Sequence, residues 1–169
     1  MQTSEKPPIL VRRAALEDSY KVLELWKGSA NWLHSKGIRQ WDPAYFTLER
    51  VYECFHDGSE LYVGEMKEEI VGTLLVGWSD PFIWEELDNE DSGYIHRFAV
   101  SRDYLGLGIG TALLEWAENY IWNAGKNLVR LDCMADNERL NQYYQDHGFT
   151  FQGVKVWENG WKSSLYEKI

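Results

Sequence analysis

A chain of 169 residues is long enough for one domain with a sizeable core. It carries 27 acidic against 17 basic side chains, a formal net charge of −10, which argues against nucleic acid and an anionic membrane surface as partners. Only Cys54 and Cys133 are present, so there is no disulfide framework; nothing has metal-ligand spacing and no apolar run approaches 18 residues, so the expectation is a soluble cytoplasmic protein without metal.

Residues 1–8 are polar, end in Pro-Pro and read as a loose arm; Ile9 to Arg13 is a short strand. Glu17 and Asp18 suit a first helical turn; Val22, Leu25, Trp26, Ser29 and Leu33 share the face that follows, and Lys36-Gly37 closes the helix. Ile38 to Pro43 is a connector, since the residue before proline avoids helix. A second helix spans Thr47 to His56. Leu61 to Met66 and Ile70 to Trp78 form a hairpin around Lys67-Glu68-Glu69. Asp80 to Asp91 is a loop with five acids in its last seven residues, a solvated face or an attraction for a cationic acceptor.

Tyr94 to Val100 alternates as a strand does, with Tyr94, His96, Phe98 and Val100 on one face and Ile95, Arg97 and Ala99 on the other. Gly106, Gly108 and Gly110 follow. From Ile109 the period changes, and Ile109, Leu113, Trp116, Ala117, Tyr120 and Ile121 line a helical face that stops at Gly125. A strand, a glycine turn and a helix N-terminus make an anion site, because the first helical N–H groups have no intrahelical partner and carry the positive end of the dipole. The dinucleotide fingerprint fits poorly: Thr111 stands where a third glycine or alanine belongs. A tight turn without ligand is the competing reading.

Leu128 to Met134 is a further strand, Asn137 to His147 a short helix ended by Gly148, and Thr150 to Trp157 with Trp161 to Ile169 a closing hairpin across Asn159-Gly160. Trp157 and Trp161 suit either a homodimer face or core packing. The order is β-α-α-β-β-β-α-β-α-β-β. No repeat or linker interrupts it, so residues 1–169 form one domain.

This order, with two motifs, resembles the GNAT superfamily of acyl-CoA N-acyltransferases over roughly Ile9 to Ile169. Phe98-Ala99-Val100 and Leu105-Gly106-Leu107-Gly108-Ile109-Gly110 are similar to the family's strand end and Q/R-x-x-G-x-G/A turn, with Leu105 in the Gln/Arg place. Asn137 to Phe149 is similar to its N-x-x-[AL]-x-x-[LFY]-Y-x-x-x-G-F. The resemblance implies an α/β (α+β) fold: a mixed, mostly antiparallel sheet of about seven strands with helices on both faces. It also implies direct acetyl transfer from acetyl-CoA to an amine, with a protein or peptide acceptor, or a non-catalytic acyl-CoA-binding role, as alternatives.

Residue by residue, the resemblance assigns Tyr144 as general acid to the CoA thiolate. Phe98, Ala99 and Val100 hold the pantetheine arm through main-chain groups. Residues Leu105, Gly106, Leu107, Gly108, Ile109, Gly110 and Thr111 hold the pyrophosphate, with the Thr111 hydroxyl as an extra donor. Asn137 bonds the cofactor or braces strands splayed to admit it. His96 is the first candidate base, since imidazole titrates in the useful range; a water chain or Glu65 is the rival. Trp32, Gln40 and Trp41 line the pocket of a small-molecule amine, cationic or amino-acid-like. Tyr143 and the buried thiol of Cys133 read as structural, and Arg97 as the ion-pair partner of Asp132.

Overall fold

The computed structural model describes residues 8–38, 42–104 and 106–169. The arm as far as residue 7, Gln40, Trp41 and Leu105 lie outside the described residues.

Seven strands form one sheet. They are β1 (Leu10–Arg13), β2 (Glu60–Met66), β3 (Glu69–Gly77), β4 (Ser92–Val100), β5 (Leu128–Met134), β6 (Thr150–Val156) and β7 (Lys162–Lys168). They are ordered β1-β2-β3-β4-β5-β7-β6, and only β4 and β5 pair in parallel. The helices are α1 (Ser19–Ser35), α2 (Leu48–Glu53), α3 (Pro81–Trp84), α4 (Ile109–Asn123) and α5 (Glu138–Asp146). α1 and α2 pack on one face of the sheet; α4 and the Tyr144 ring of α5 pack on the other.

Local chemistry explains the starts. The Asp18 carboxylate accepts from the Ala15 amide at 2.7 Å and from the Arg12 guanidinium at 2.7 and 3.0 Å, fixing the turn before α1. That guanidinium holds the Asp18 carboxyl below its ordinary pKa. α1 buries Val22, Leu25, Trp26, Ala30 and Leu33. Thr47 caps α2 by accepting from the Arg50 amide.

α4 lies directly on the sheet because β3 offers it no side chain at Gly72. A Cβ there would stand 2.4 Å from Leu113 Cδ1, and Leu113 is fully buried. Gly72→Ala is therefore expected to overpack this contact and cost about 1–3 kcal/mol, read as a lower urea midpoint at unchanged m-value.

The alternation expected of β4 breaks. Thr73 pairs with Ala99 but Leu75 pairs with His96, so β4 carries one residue more than β3 between them, and Arg97 takes φ +49°. The bulge flips the faces: Ile95, Phe98 and Val100 turn to the α4 core, while Ala99 packs with α1. Arg97 accordingly lies over the rings of Trp26, at 4.8 Å, and of Tyr45 and Phe46, at 5.7 Å each. The expected Arg97–Asp132 pair does not form.

The expected loop after β3 also carries structure. Asp80 caps α3 through its Oδ1, which accepts from the Ile83 amide at 3.1 Å, and Pro81 starts the helix. The acids from Glu85 to Asp91 are solvated in the main, but Asp88 accepts from the Asp80 amide at 2.8 Å and pins the turn.

Candidate active site

β4 and β5 pair only at Ser92–Leu128, Gly93–Val129 and Tyr94–Arg130. Beyond Tyr94 they part. A cleft of about 1850 Å³ runs between the parted ends, with residues 95–100 of β4 on one wall and 131–134 of β5 on the other.

At one mouth stands the N-terminus of α4. Gly106 and Gly108 take φ +80° and +73°, conformations that side-chain-bearing residues rarely adopt, and Gly108 is the cap residue. The first intrahelical bond runs from the Ala112 amide to the Gly108 carbonyl, so the amides of Ile109, Gly110 and Thr111 remain free for an anion.

The Thr111 hydroxyl is already engaged. His147 Nδ1 lies 2.7 Å from the Tyr143 carbonyl, which only accepts, so in the neutral ring Nδ1 carries the proton and Nε2 a lone pair. Thr111 then donates to Nε2 at 3.2 Å and accepts from the Tyr143 hydroxyl at 3.2 Å. Tyr143 thus clamps α5 to α4, and Thr111 offers a phosphate its amide rather than its hydroxyl.

Tyr144 is 4% exposed and lines the cleft. Its hydroxyl makes no hydrogen bond among the described residues, and burial pushes its pKa well above the ordinary phenol value. The same surroundings push the Cys133 thiol up to about 12. The Asn137 carboxamide oxygen caps α5, accepting from the Leu140 amide at 3.2 Å. Asn141 ties α5 to β5 by donating to the Met134 carbonyl at 3.0 Å. Asn137 therefore braces the element that carries Tyr144.

The floor towards α3 gathers three titratable groups. His96 Nε2 lies 3.5 Å from Asp80 Oδ2, a buried oxygen with no hydrogen bond among the described residues. Burial lowers the imidazole pKa and raises that of the Asp80 carboxyl, each against the opposite charge of the other. Asp132, on β5, lines the cleft; burial, helped by the Asp80 charge, pushes its carboxyl up to about 7. The acidic loop masked Asp80 in the sequence. The assumption of an Arg97 partner masked Asp132.

Trp32 borders the cleft, and the Arg102 guanidinium stacks on it at 4.0 Å. At the far rim Phe82 of α3 meets Trp157 at 5.4 Å, with Lys155 over both rings, and Trp161 lines the same rim, so the closing hairpin contributes its tryptophans to the cleft. Glu65 accepts from Arg12 at 2.7 Å and lies outside the cleft, which removes it as a base.

The model of the GNAT acetyltransferase family matches residues 23–149. The uncharacterized N-acetyltransferase YesJ of Bacillus subtilis is 32% identical over 148 residues, 83% of this chain and 81% of its own. A GNAT-family acetyltransferase of Listeria monocytogenes, solved by crystallography, is 30% identical and superposes with a TM-score of 0.77 over 95% of this chain and 94% of its own. The PaiA N-acetyltransferase of Thermoplasma acidophilum, solved with coenzyme A, shares the fold at 17% identity and a TM-score of 0.71, over 95% of this chain and 98% of its own.

Proposed function

The chain belongs to the GNAT family of acetyltransferases, and from that premise we propose that it moves an acetyl group from acetyl-CoA to the primary amine of a small, cationic or amino-acid-like acceptor by direct attack. One observation carries the reading: the gap between β4 and β5 opens a cleft that Gly106, in the turn before α4, lines on one side and Asp80 and Asp132 line on its floor. An anionic donor and a cationic acceptor would meet in the middle, where Tyr144 stands.

When bound, acetyl-CoA supplies an activated thioester carbonyl. The amides of Ile109, Gly110 and Thr111 hold its diphosphate. The main chain of Phe98, Ala99 and Val100 would hold the pantetheine arm, on the edge of β4 that β5 no longer pairs beyond Tyr94, and would polarise the carbonyl. An alkylammonium of pKa about 10.4 is only about 0.04% neutral at pH 7, so a proton acceptor is needed. His96, kept neutral by burial, accepts a proton from the nitrogen as the C–N bond forms. Tyr144 gives the leaving thiolate its proton. Trp32, with Phe82 and Trp157, walls the acceptor side, where aromatic faces suit a cation.

The test is incubation with acetyl-CoA and a panel of alkyl diamines, amino-acid esters and peptides with free N-termini, following released thiol. Turnover of small amines only is the expected result. Turnover of peptides alone would make the acceptor a protein. Saturable coenzyme A binding with no transfer to any acceptor would make the chain a binder.

Binding itself is checked by melting. Coenzyme A at 100 times its Kd is expected to raise the Tm by about 5–10 °C. Gly108→Val, which cannot hold the cap conformation cheaply, is expected to abolish most of that shift.

A further inference from the structure

Asp132 has no role in the scheme above, yet it is the most exceptional carboxyl of the cleft. No ion pair or hydrogen bond reaches its side chain among the described residues, and Arg97, its nearest expected partner, is turned away to Trp26. It projects from β5 into the part of the sheet that has opened, so its surroundings are the cleft itself. The groups that face it come from three elements. Asp80 lies before α3, close enough to disfavour its charge. Tyr144 of α5 feels its charge, as does the Cys133 thiol beside it. His96 of β4 reaches the cluster through Asp80, which Lys155 also faces. Among the described residues no cation pairs with Asp132 itself.

We propose that Asp132 is a second proton acceptor, taking the first proton of the acceptor's ammonium before His96 takes the second. The inference rests on the amine-acetylation reading and deepens it: the substrate binds as a cation, with its ammonium against Asp132.

The nitrogen gives up two protons on the way from ammonium to amide. The ammonium passes one proton to the Asp132 carboxylate, leaving a neutral amine and a carboxylic acid. The nitrogen lone pair then forms the C–N bond to the acetyl carbon, and the C–S bond breaks with its electron pair on sulfur. The nitrogen's second proton passes to His96, and the thiolate takes the phenolic proton of Tyr144. One of the two nitrogen protons restores Tyr144 and the other leaves to water. The sum is ammonium plus acetyl-CoA giving amide, coenzyme A thiol and one proton. A carboxyl poised near neutrality by burial suits the first step, being basic enough to take the proton and acidic enough to release it.

The test compares the wild type with Asp132→Asn and, as a second variant, Asp132→Ala, using the alkylamine of the panel with the highest wild-type rate. In the wild type, log kcat/KM should rise on the acid side with a slope near 2, reporting His96 and Asp132 together. In Asp132→Asn the slope should fall to near 1 and kcat/KM should drop about 10²-fold or more, while coenzyme A still raises the melting point. A readout independent of activity is the carboxyl carbon signal of protein labelled with ¹³C-aspartate: one resonance should titrate near neutrality and be missing from both variants. A slope of 2 retained in Asp132→Asn, or a set of near-neutral aspartate resonances that the substitution leaves unchanged, would overturn the proposal alone. No transfer by the wild-type protein would overturn the underlying reading, and the proposal with it.

Discussion

Tyr144→Phe is expected to lower kcat by about 10²–10⁴-fold, the range of a lost general acid, while stability and coenzyme A affinity stay level. The separation follows from the hydroxyl's surroundings. It has no hydrogen-bond partner among the described residues, so its removal deletes no structural contact, and the phenyl ring still fills its place against Phe149 and Tyr166. A phenol with a raised pKa looks a poor donor to a thiolate of ordinary basicity. The site answers that objection, because burial raises a thiol beside it just as it raises the phenol: Cys133 goes up to about 12. Burial disfavours the charged form of phenol and thiol alike, so donor and acceptor shift in the same direction. Steady-state kinetics with a thiol readout and a thermal melt of the same preparation decide the matter. A variant with full turnover would exclude Tyr144 as the acid, and one with a collapsed melting point would make it a packing residue.

The second large effect is on stability and runs through Asp132. Its carboxyl moves from an ordinary 3.8 to about 7 on folding, so the folded chain holds that proton more tightly than the unfolded chain. The unfolded state therefore loses the proton first. Stability is highest below about pH 4 as far as this group is concerned, falls between about pH 4 and pH 7, and levels off above. At about 1.4 kcal/mol per pH unit the loss reaches about 4 kcal/mol at most. Asp18, Asp88 and Glu60, whose folded pKa values are lowered, run the other way and lose their contributions on acidification. Subtracting the urea stability of Asp132→Asn from that of the wild type at each pH isolates the one group. The difference should favour the variant by about 2–4 kcal/mol more at pH 8.5 than at pH 4. A difference that does not change with pH would show the carboxyl to be ordinary.

Much of the cleft was legible before any coordinates. Gly106 and Gly108 announce a backbone that side chains cannot follow, and the run from Ile109 changes period where α4 begins. The helix from Asn137 is legible too, although that Asn137 caps it is seen only in the structure. Thr111 is half legible: its position at the helix start is plain, but whether its hydroxyl is free depends on Tyr143 and His147, over thirty residues away. Asp80 is the opposite case. Asp before Pro marks a helix start, yet nothing local tells a solvated cap from one buried against a histidine.

What the sequence by itself determined is the order of elements, the two glycine-dependent turns and the helix faces, because periodicity, capping and backbone permissiveness act over a few neighbouring residues. What only the tertiary structure decided is the direction of individual side chains once strands pair. One extra residue in β4 opposite β3 sends Arg97 to the Trp26 ring of α1 and leaves Asp132, without its expected partner, in the opening between β4 and β5. A bulge is a property of two strands in register, and the pKa of a buried carboxyl is a property of everything around it. Neither can be read from one segment of chain.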